Sequence, residues 1–245
     1  VGIYKNMLGF RTLLGAAGSG VSRYDPTLNQ PFNNGCIFWL GMDGSVYINN
    51  INNDVLLNVG VSNNAPTYDY PENDKIAVFT NTNHYGSFIH TGVFLDGSVD
   101  FSSTFCVKNP SIESDYSAEV VLSNTNKNRG FGFLGVNYEK DTTTIEVGSV
   151  NYGNVVFTAA EMGGMSGWLK VAISYNSSNY LMTVVINSIM KSFYSGYYES
   201  LHEVGLFDTT WDTGSYGMSL IGSLADVRFY NRQLTTNEIY LIMKN

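Results

Sequence analysis

The sequence predicts an all-β fold, a sandwich or a barrel, with an N-terminal arm and a short C-terminal helix. Three observations carry the expectation. From residue 33 onward the apolar runs are short and rich in Val, Ile, Phe and Tyr, the side chains that fit a pleated, half-buried surface. Gly, Asn, Asp and Ser interrupt these runs at the spacing of a sandwich or barrel. Between residue 33 and the C-terminal end no stretch keeps a helical period. With 245 residues, 44% of them hydrophobic, the chain can close one large β core without disulfide staples. Its 17 Tyr, 14 Phe and 3 Trp exclude a disordered chain.

The elements follow in order. Residues 1–32 differ from the rest. Ile3, Tyr4, Met7, Leu8, Phe10, Leu13 and Leu14 recur at spacings that suit a short amphipathic helix. A Gly-Ala-Ser stretch over 15–20 and turn chemistry at Asp25-Pro26 and Gln30-Pro31 follow. The segment reads as an arm that docks on this chain or on a neighbouring subunit. Lys5 and Arg11 break its apolar run, so it falls short of the ~18 uninterrupted residues of a membrane span. It also lacks the layout of a signal peptide. The β domain is expected over 33–245, with strands near 36–40, 46–48, 55–61, 76–80, 88–95, 118–123, 130–138, 143–147, 154–158, 168–175, 180–187 and 223–230.

One hairpin is legible in detail. Leu169, Val171 and Ile173 fall on one face, and Lys170, Ala172 and Ser174 on the other, the period of a strand with one buried side. A polar turn over 176–179 returns the chain. In the return strand Met182, Val184 and Ile186 alternate with Leu181, Thr183 and Val185, so both faces expect cover. At the C-terminus a strand ending at Tyr230 leads into Leu234-Thr235-Thr236-Asn237-Glu238-Ile239. Thr235 and Glu238 have capping-box spacing, and Leu234 and Ile239 the spacing of a hydrophobic staple. A helix over 236–243 is predicted.

Charge narrows the function. Only 14% of residues are charged and the net charge is −8, against the ~25% charged usual for soluble domains. A nucleic-acid role would want a basic footprint instead. Cys36 and Cys106 each sit in an apolar run and read as buried thiols. A single disulfide between them stays open, while a metal or redox role lacks a CxxC pair.

The residues 222–239, Gly-Ser-Leu-Ala-Asp-Val-Arg-Phe-Tyr-Asn-Arg-Gln-Leu-Thr-Thr-Asn-Glu-Ile, resemble the closing signature of the laminin-G-like domains of the concanavalin A-like lectin/glucanase superfamily. Gly167 to Tyr175 with Val184-Val185-Ile186-Asn187 is similar to that family's middle hairpin, although Asn187-Ser188 stands where the family has Asn-Gly. The segments 94–101 and 36–44 resemble its early strands. The resemblance covers 33–245 and implies a two-sheet antiparallel jelly-roll sandwich of the concanavalin A-like kind. It implies no single activity, because these motifs are structural.

The superfamily includes glycoside hydrolases, which flank a glycosidic bond with two carboxylates. The alternating acidic triplet that would do so is absent; the nearest acidic group, Glu199, Glu203 and Asp208, does not share a strand face. No nucleophile elbow, zinc helix or phosphate loop is found, and His84, His90 and His202 stand apart in sequence. No catalytic residue is assigned, and the chain is expected not to be an enzyme. The positive candidate is the stretch 193–217, long for a plain connection. There Tyr197, Tyr198, Trp211 and Tyr216 would offer flat faces to a sugar, and Asp208 and Asp212 would bind its hydroxyls. A Ca²⁺ is common in the family, and Asp208 and Asp212 are its candidate ligands here, without EF-hand spacing. Asn176-Ser177-Ser178 forms a glycosylation sequon.

The function expected is a non-enzymatic carbohydrate-binding or adhesion module on a phage virion or bacterial surface. Its partners would be a glycan or cell-surface polysaccharide and, through residues 1–32, other subunits. It would be displayed as a homo-oligomer outside the cell, without nucleic acid or membrane. The alternatives are a purely structural virion subunit anchored by its arm, and a hydrolase-like enzyme.

Overall fold

The computed structural model describes residues 34–43, 46–52, 54–59, 78–82, 88–95, 97–111, 119–123, 131–139, 142–149, 153–164, 167–196, 202–206 and 221–244. The arm expected over 1–32 lies outside them. The described strands are β1 (Cys36–Asp43), β2 (Val46–Asn49), β3 (Asn58–Val59), β4 (Val78–Asn81), β5 (Phe88–Leu95), β6 (Phe101–Ser111), β7 (Glu119–Ser123) and β8 (Phe131–Glu139). They continue with β9 (Thr142–Ser149), β10 (Gly153–Thr158), β11 (Trp168–Asn176), β12 (Leu181–Ile186), β13 (Ile189–Tyr194), β14 (His202–Leu206) and β15 (Ile221–Tyr230). Two helices are α1 (Ala159–Met162) and α2 (Thr236–Lys244).

The strands form two antiparallel sheets, the sandwich the alternation predicts. One has eight strands in the order β13-β12-β11-β6-β15-β1-β2, with β4 also on β15; the other has seven, β10-β9-β8-β7-β14-β5-β3. Between them lies the main core, where Phe38, Ile89, Ile145, Phe157, Tyr175 and Phe229 are all essentially inaccessible. Leu169, Val171 and Ile173 of β11 point into it as their spacing predicts. The opposite face of β11 is not wet. Ala172 is fully buried beneath α2, packed with Val185, Tyr230, Leu234, Ile239, Ile242 and Met243. Seen from β12, Val185 has the cover expected on its second face, while Leu181 stays exposed.

The C-terminal signals become contacts. The Thr235 hydroxyl accepts the Glu238 N–H at 3.3 Å, and the Thr235 N–H donates to the Glu238 carboxylate at 2.8 Å. The staple partners Leu234 and Ile239 are buried together. Arg232 grips the same carboxylate at 2.8 and 3.0 Å. These bonds, Arg232 foremost, hold the Glu238 carboxyl at about 2, below its ordinary 4.5.

Both cysteines are free. Cys36 on β1 faces Tyr230, and Cys106 on β6 faces Ala225, so β15 lies between them. Two strand spacings of about 4.8 Å exceed the ~7 Å that a disulfide spans between Cα atoms. Burial pushes the Cys36 thiol up to about 11.

Arg228 is a buried cation on β15. It is paired with Asp226 at 2.8 Å and lies 5.2 Å from the Trp39 ring centre. Asp226 sits at a φ of +53, where the pairing of β15 with β6 slips. The backbone kinks there and aims the carboxylate at its arginine.

The two sheet edges differ. At one, β13 and β10 abut. Lys191 bonds the Val156 carbonyl at 2.6 Å and Glu161 at 2.9 Å, over the Phe157 ring. A lysine on an edge strand blocks further strand pairing. At the other edge, where the two strand orders end in β2 and β3, no further strand pairs among the described residues. Among the described residues no helix is long and apolar enough to cross a membrane.

Candidate functional site

The β2–β3 edge is built by a short crossing. After β2 the chain leaves the eight-stranded sheet and enters the other as β3. The run expected as one strand over 55–61 is not continuous. Val55 makes a lone bridge with Ile48, the Leu56 N–H donates to the Tyr47 carbonyl at 2.8 Å, and β3 begins at Asn58. The physical reason is the change of sheet: Leu56 alone turns inward, leaving Val55 and Leu57 at 67% and 64% exposure.

Asparagines hold this crossing. The buried Asn49 carboxamide accepts from the N–H groups of Trp39 and Ile51 and donates to the Ile37 carbonyl. Asn52 and Asp54 lock each other: the Asp54 N–H donates to the Asn52 carbonyl oxygen at 3.1 Å, and the Asn52 amide donates back to the carboxylate at 2.5 Å. Such local bonds are what Asn and Asp contribute to turns.

The neighbouring strand β5 carries a bulge. Glu203 of β14 faces Phe94 and Gly205 faces His90, so Thr91, Gly92 and Val93 oppose Val204 alone. Gly92 has a φ of +69, the left-handed conformation glycine adopts without penalty. The slack hydrogen bonds are taken by side chains. Thr91 donates to the Val204 carbonyl at 2.7 Å and accepts the Val93 N–H at 3.1 Å. Glu203 accepts the Gly92 N–H at 2.8 Å on one oxygen and His90 Nδ1 at 2.8 Å on the other. A carboxylate only accepts, so His90 Nδ1 is the donor in this contact. Bulges of this kind re-aim side chains, and here Phe94 stands 54% exposed.

Together these pieces line an open groove of about 700 Å³, with Asn52, Asp54, His90 and Glu203 as its polar groups and Val55, Leu57 and Phe94 as its exposed apolar ones. Its volume falls within the range of small-molecule sites. The carboxylates and carboxamide accept hydrogen bonds, the carboxamide donates, and the aromatic face offers an apolar platform. Among the described residues no three His, Cys, Asp or Glu side chains gather to hold a metal.

The residues singled out from sequence for sugar and calcium, Tyr197, Tyr198, Trp211, Tyr216, Asp208 and Asp212, lie outside the described residues. Their stretch is not a plain connection, since β13 ends in it and β14 crosses it. It contributes Glu203 to the groove. His90, isolated in sequence, is brought to Glu203 by strand pairing. Sequence reasoning missed Asn52, Asp54 and Phe94. The signal available was the Asn-rich run 49–54 ahead of an apolar triplet, a turn followed by a half-exposed edge.

No protein-family profile and no curated protein matches the sequence. Solved structures do match its fold. The receptor-binding domain of botulinum neurotoxin D is similar at a TM-score of 0.58 and 13% identity, over 86% of this chain and 52% of that one. The binding domain of Paraclostridial mosquitocidal protein 1 gives 0.59 and 14%, over 85% and 52%. The botulinum neurotoxin serotype G binding domain gives 0.58 and 15%, over 85% and 50%. The chain thus spans about half the length of each. At these identities the likeness establishes the β-sandwich and nothing finer.

Proposed function

We propose that the chain is a non-enzymatic binding or adhesion module that holds carbohydrate in the groove at the β2–β3 edge. The observation that carries this reading is the gathering of solvent-facing Phe94, Val55 and Leu57 with Asn52, Asp54, His90 and Glu203 around one open space. A sugar ring has an apolar C–H face and a rim of hydroxyls. The first packs on Phe94, and the second meets the acceptors and the carboxamide. Each contact is weak, so working affinity comes from repeated display. That the similar solved structures are described as receptor-binding or binding domains supports a binding role on a surface or in the extracellular space.

The finer parts of the reading belong to the same proposal. The sandwich is a laminin-G-like member of the concanavalin A-like superfamily, and it works on a phage or bacterial exterior. The aromatic residues Tyr197, Tyr198, Trp211 and Tyr216 add sugar contacts, Asp208 and Asp212 bind hydroxyls or Ca²⁺, and residues 1–32 dock the module to neighbouring subunits in an oligomer. The deciding experiment is a dense array of neutral, amino and acidic glycans probed with the chain and with Phe94→Ala. Binding by the first and its loss in the second is expected, with the thermal midpoint unchanged because Phe94 is exposed. An array that stays dark, or a Phe94→Ala variant that binds as well, overturns the reading. A reducing-sugar assay on bound glycans is expected to show no release.

A further inference from the structure

Resting on the reading of the groove as a glycan site, we infer that its ligand is an amine-bearing sugar, a hexosamine with a free amino group. Charge complementarity carries the inference. The groove presents the carboxylates of Asp54 and Glu203, and among its described lining residues there is no lysine or arginine. Four other described cations are engaged elsewhere. Lys108 lies over Trp168 and Lys191 against Glu161; Arg228 is held by Asp226 and Arg232 by Glu238. A groove of one sign focuses its field on the opposite charge. An anionic sugar, sialylated or uronic, would meet two carboxylates with His90, beside Glu203, as the one basic side chain among the described lining residues, which disfavours it.

Both carboxylates are also fixed in place. Asp54 is pinned by the Asn52 side chain and by its own N–H, and Glu203 by His90 and the Gly92 N–H. Acceptors already fixed lose little freedom on binding. The exposed Phe94 ring adds a second attraction for an ammonium, through its π face. A neutral sugar would use the platform and the hydroxyl acceptors but leave this charge unanswered.

The probes are a chitosan oligosaccharide, its fully N-acetylated counterpart and a sialylated oligosaccharide, immobilised at equal density and tested against the whole chain. The deacetylated oligomer is expected to bind about tenfold tighter than the acetylated one, as suits a charge-assisted hydrogen bond. That advantage should shrink as salt is raised. Asp54→Asn should remove most of it. Glu161→Gln deletes one negative charge at the opposite sheet edge and should leave it intact. Equal loss in both variants would show only attraction to a chain of net charge −8 and overturn the inference. So would equal or tighter binding of the acetylated or sialylated probe, or a lysine-rich peptide of matched charge that binds better than the amino sugar. Binding that depends on Phe94 with no preference for the amine defeats this inference alone. No binding of any sugar defeats the glycan reading as well.

Discussion

Gly92 and Asp226 hold the same unusual backbone for different reasons. At Gly92 a Cβ would meet nothing within 4 Å, yet the φ is +69. Gly92→Ala therefore tests conformation without a clash. We expect a loss of about 1 kcal/mol from the left-handed backbone, read by urea denaturation, together with a change in groove binding as the bulge relaxes. Asp226 takes its strained φ to reach Arg228, whose side chain is 9% exposed. Burial works against the arginine's charge, and the Asp226 carboxylate more than restores it, so its pKa is raised. Asn tolerates the same backbone, so Asp226→Asn isolates the charge. Taking the carboxylate from this buried cation should cost about 3–5 kcal/mol. A loss within experimental error would mean that its other contacts, Trp39 among them, suffice to stabilise the guanidinium.

At the level of elements, α2 is sensitive to acid. Its capping carboxylate Glu238 has a folded value of about 2 against an ordinary 4.5. A lowered value favours the folded state above 4.5, and that contribution drains away as the pH falls from 4.5 towards 2. We expect the thermal midpoint to drop across this window and the drop to shrink in Glu238→Gln; an identical pH profile in the variant would refute the assignment. This helix was readable in advance because its signals are local: a cap, a carboxylate three residues on and a staple lie within 234–239. The hairpin of β11 and β12 was readable for the same reason, with its period and turn on one short stretch. The strands β13 and β14 were not. Ile-Met-Lys-Ser-Phe-Tyr and His-Glu-Val-Gly-Leu alternate weakly, and what makes them strands is the pairing offered by β12, β5 and β7. The groove was illegible for a stronger reason. His90 and Glu203 are 113 positions apart, and only the register of two strands brings them together.

For the molecule as a whole, the two sheet edges divide labour. The β10–β13 edge is sealed by Lys191, Glu161 and Phe157, while the opposite one keeps Val55, Leu57 and Phe94 in water. Exposed apolar groups gathered at one place mark an interaction surface. The double variant Val55→Ser, Leu57→Ser should leave the free energy of unfolding, read by urea denaturation, within about 0.5 kcal/mol of the parent, as exposed positions do. A large loss of stability would mean that these side chains serve the core instead. The placement of β15 has a further consequence for how the chain is made. It is the final strand in sequence, yet it lies in the interior of its sheet and pairs with β1, β4 and β6. Until the ribosome has added residues 221–230, β1, β4 and β6 each lack this shared neighbour, so the larger sheet condenses only after all of its other described strands have been made.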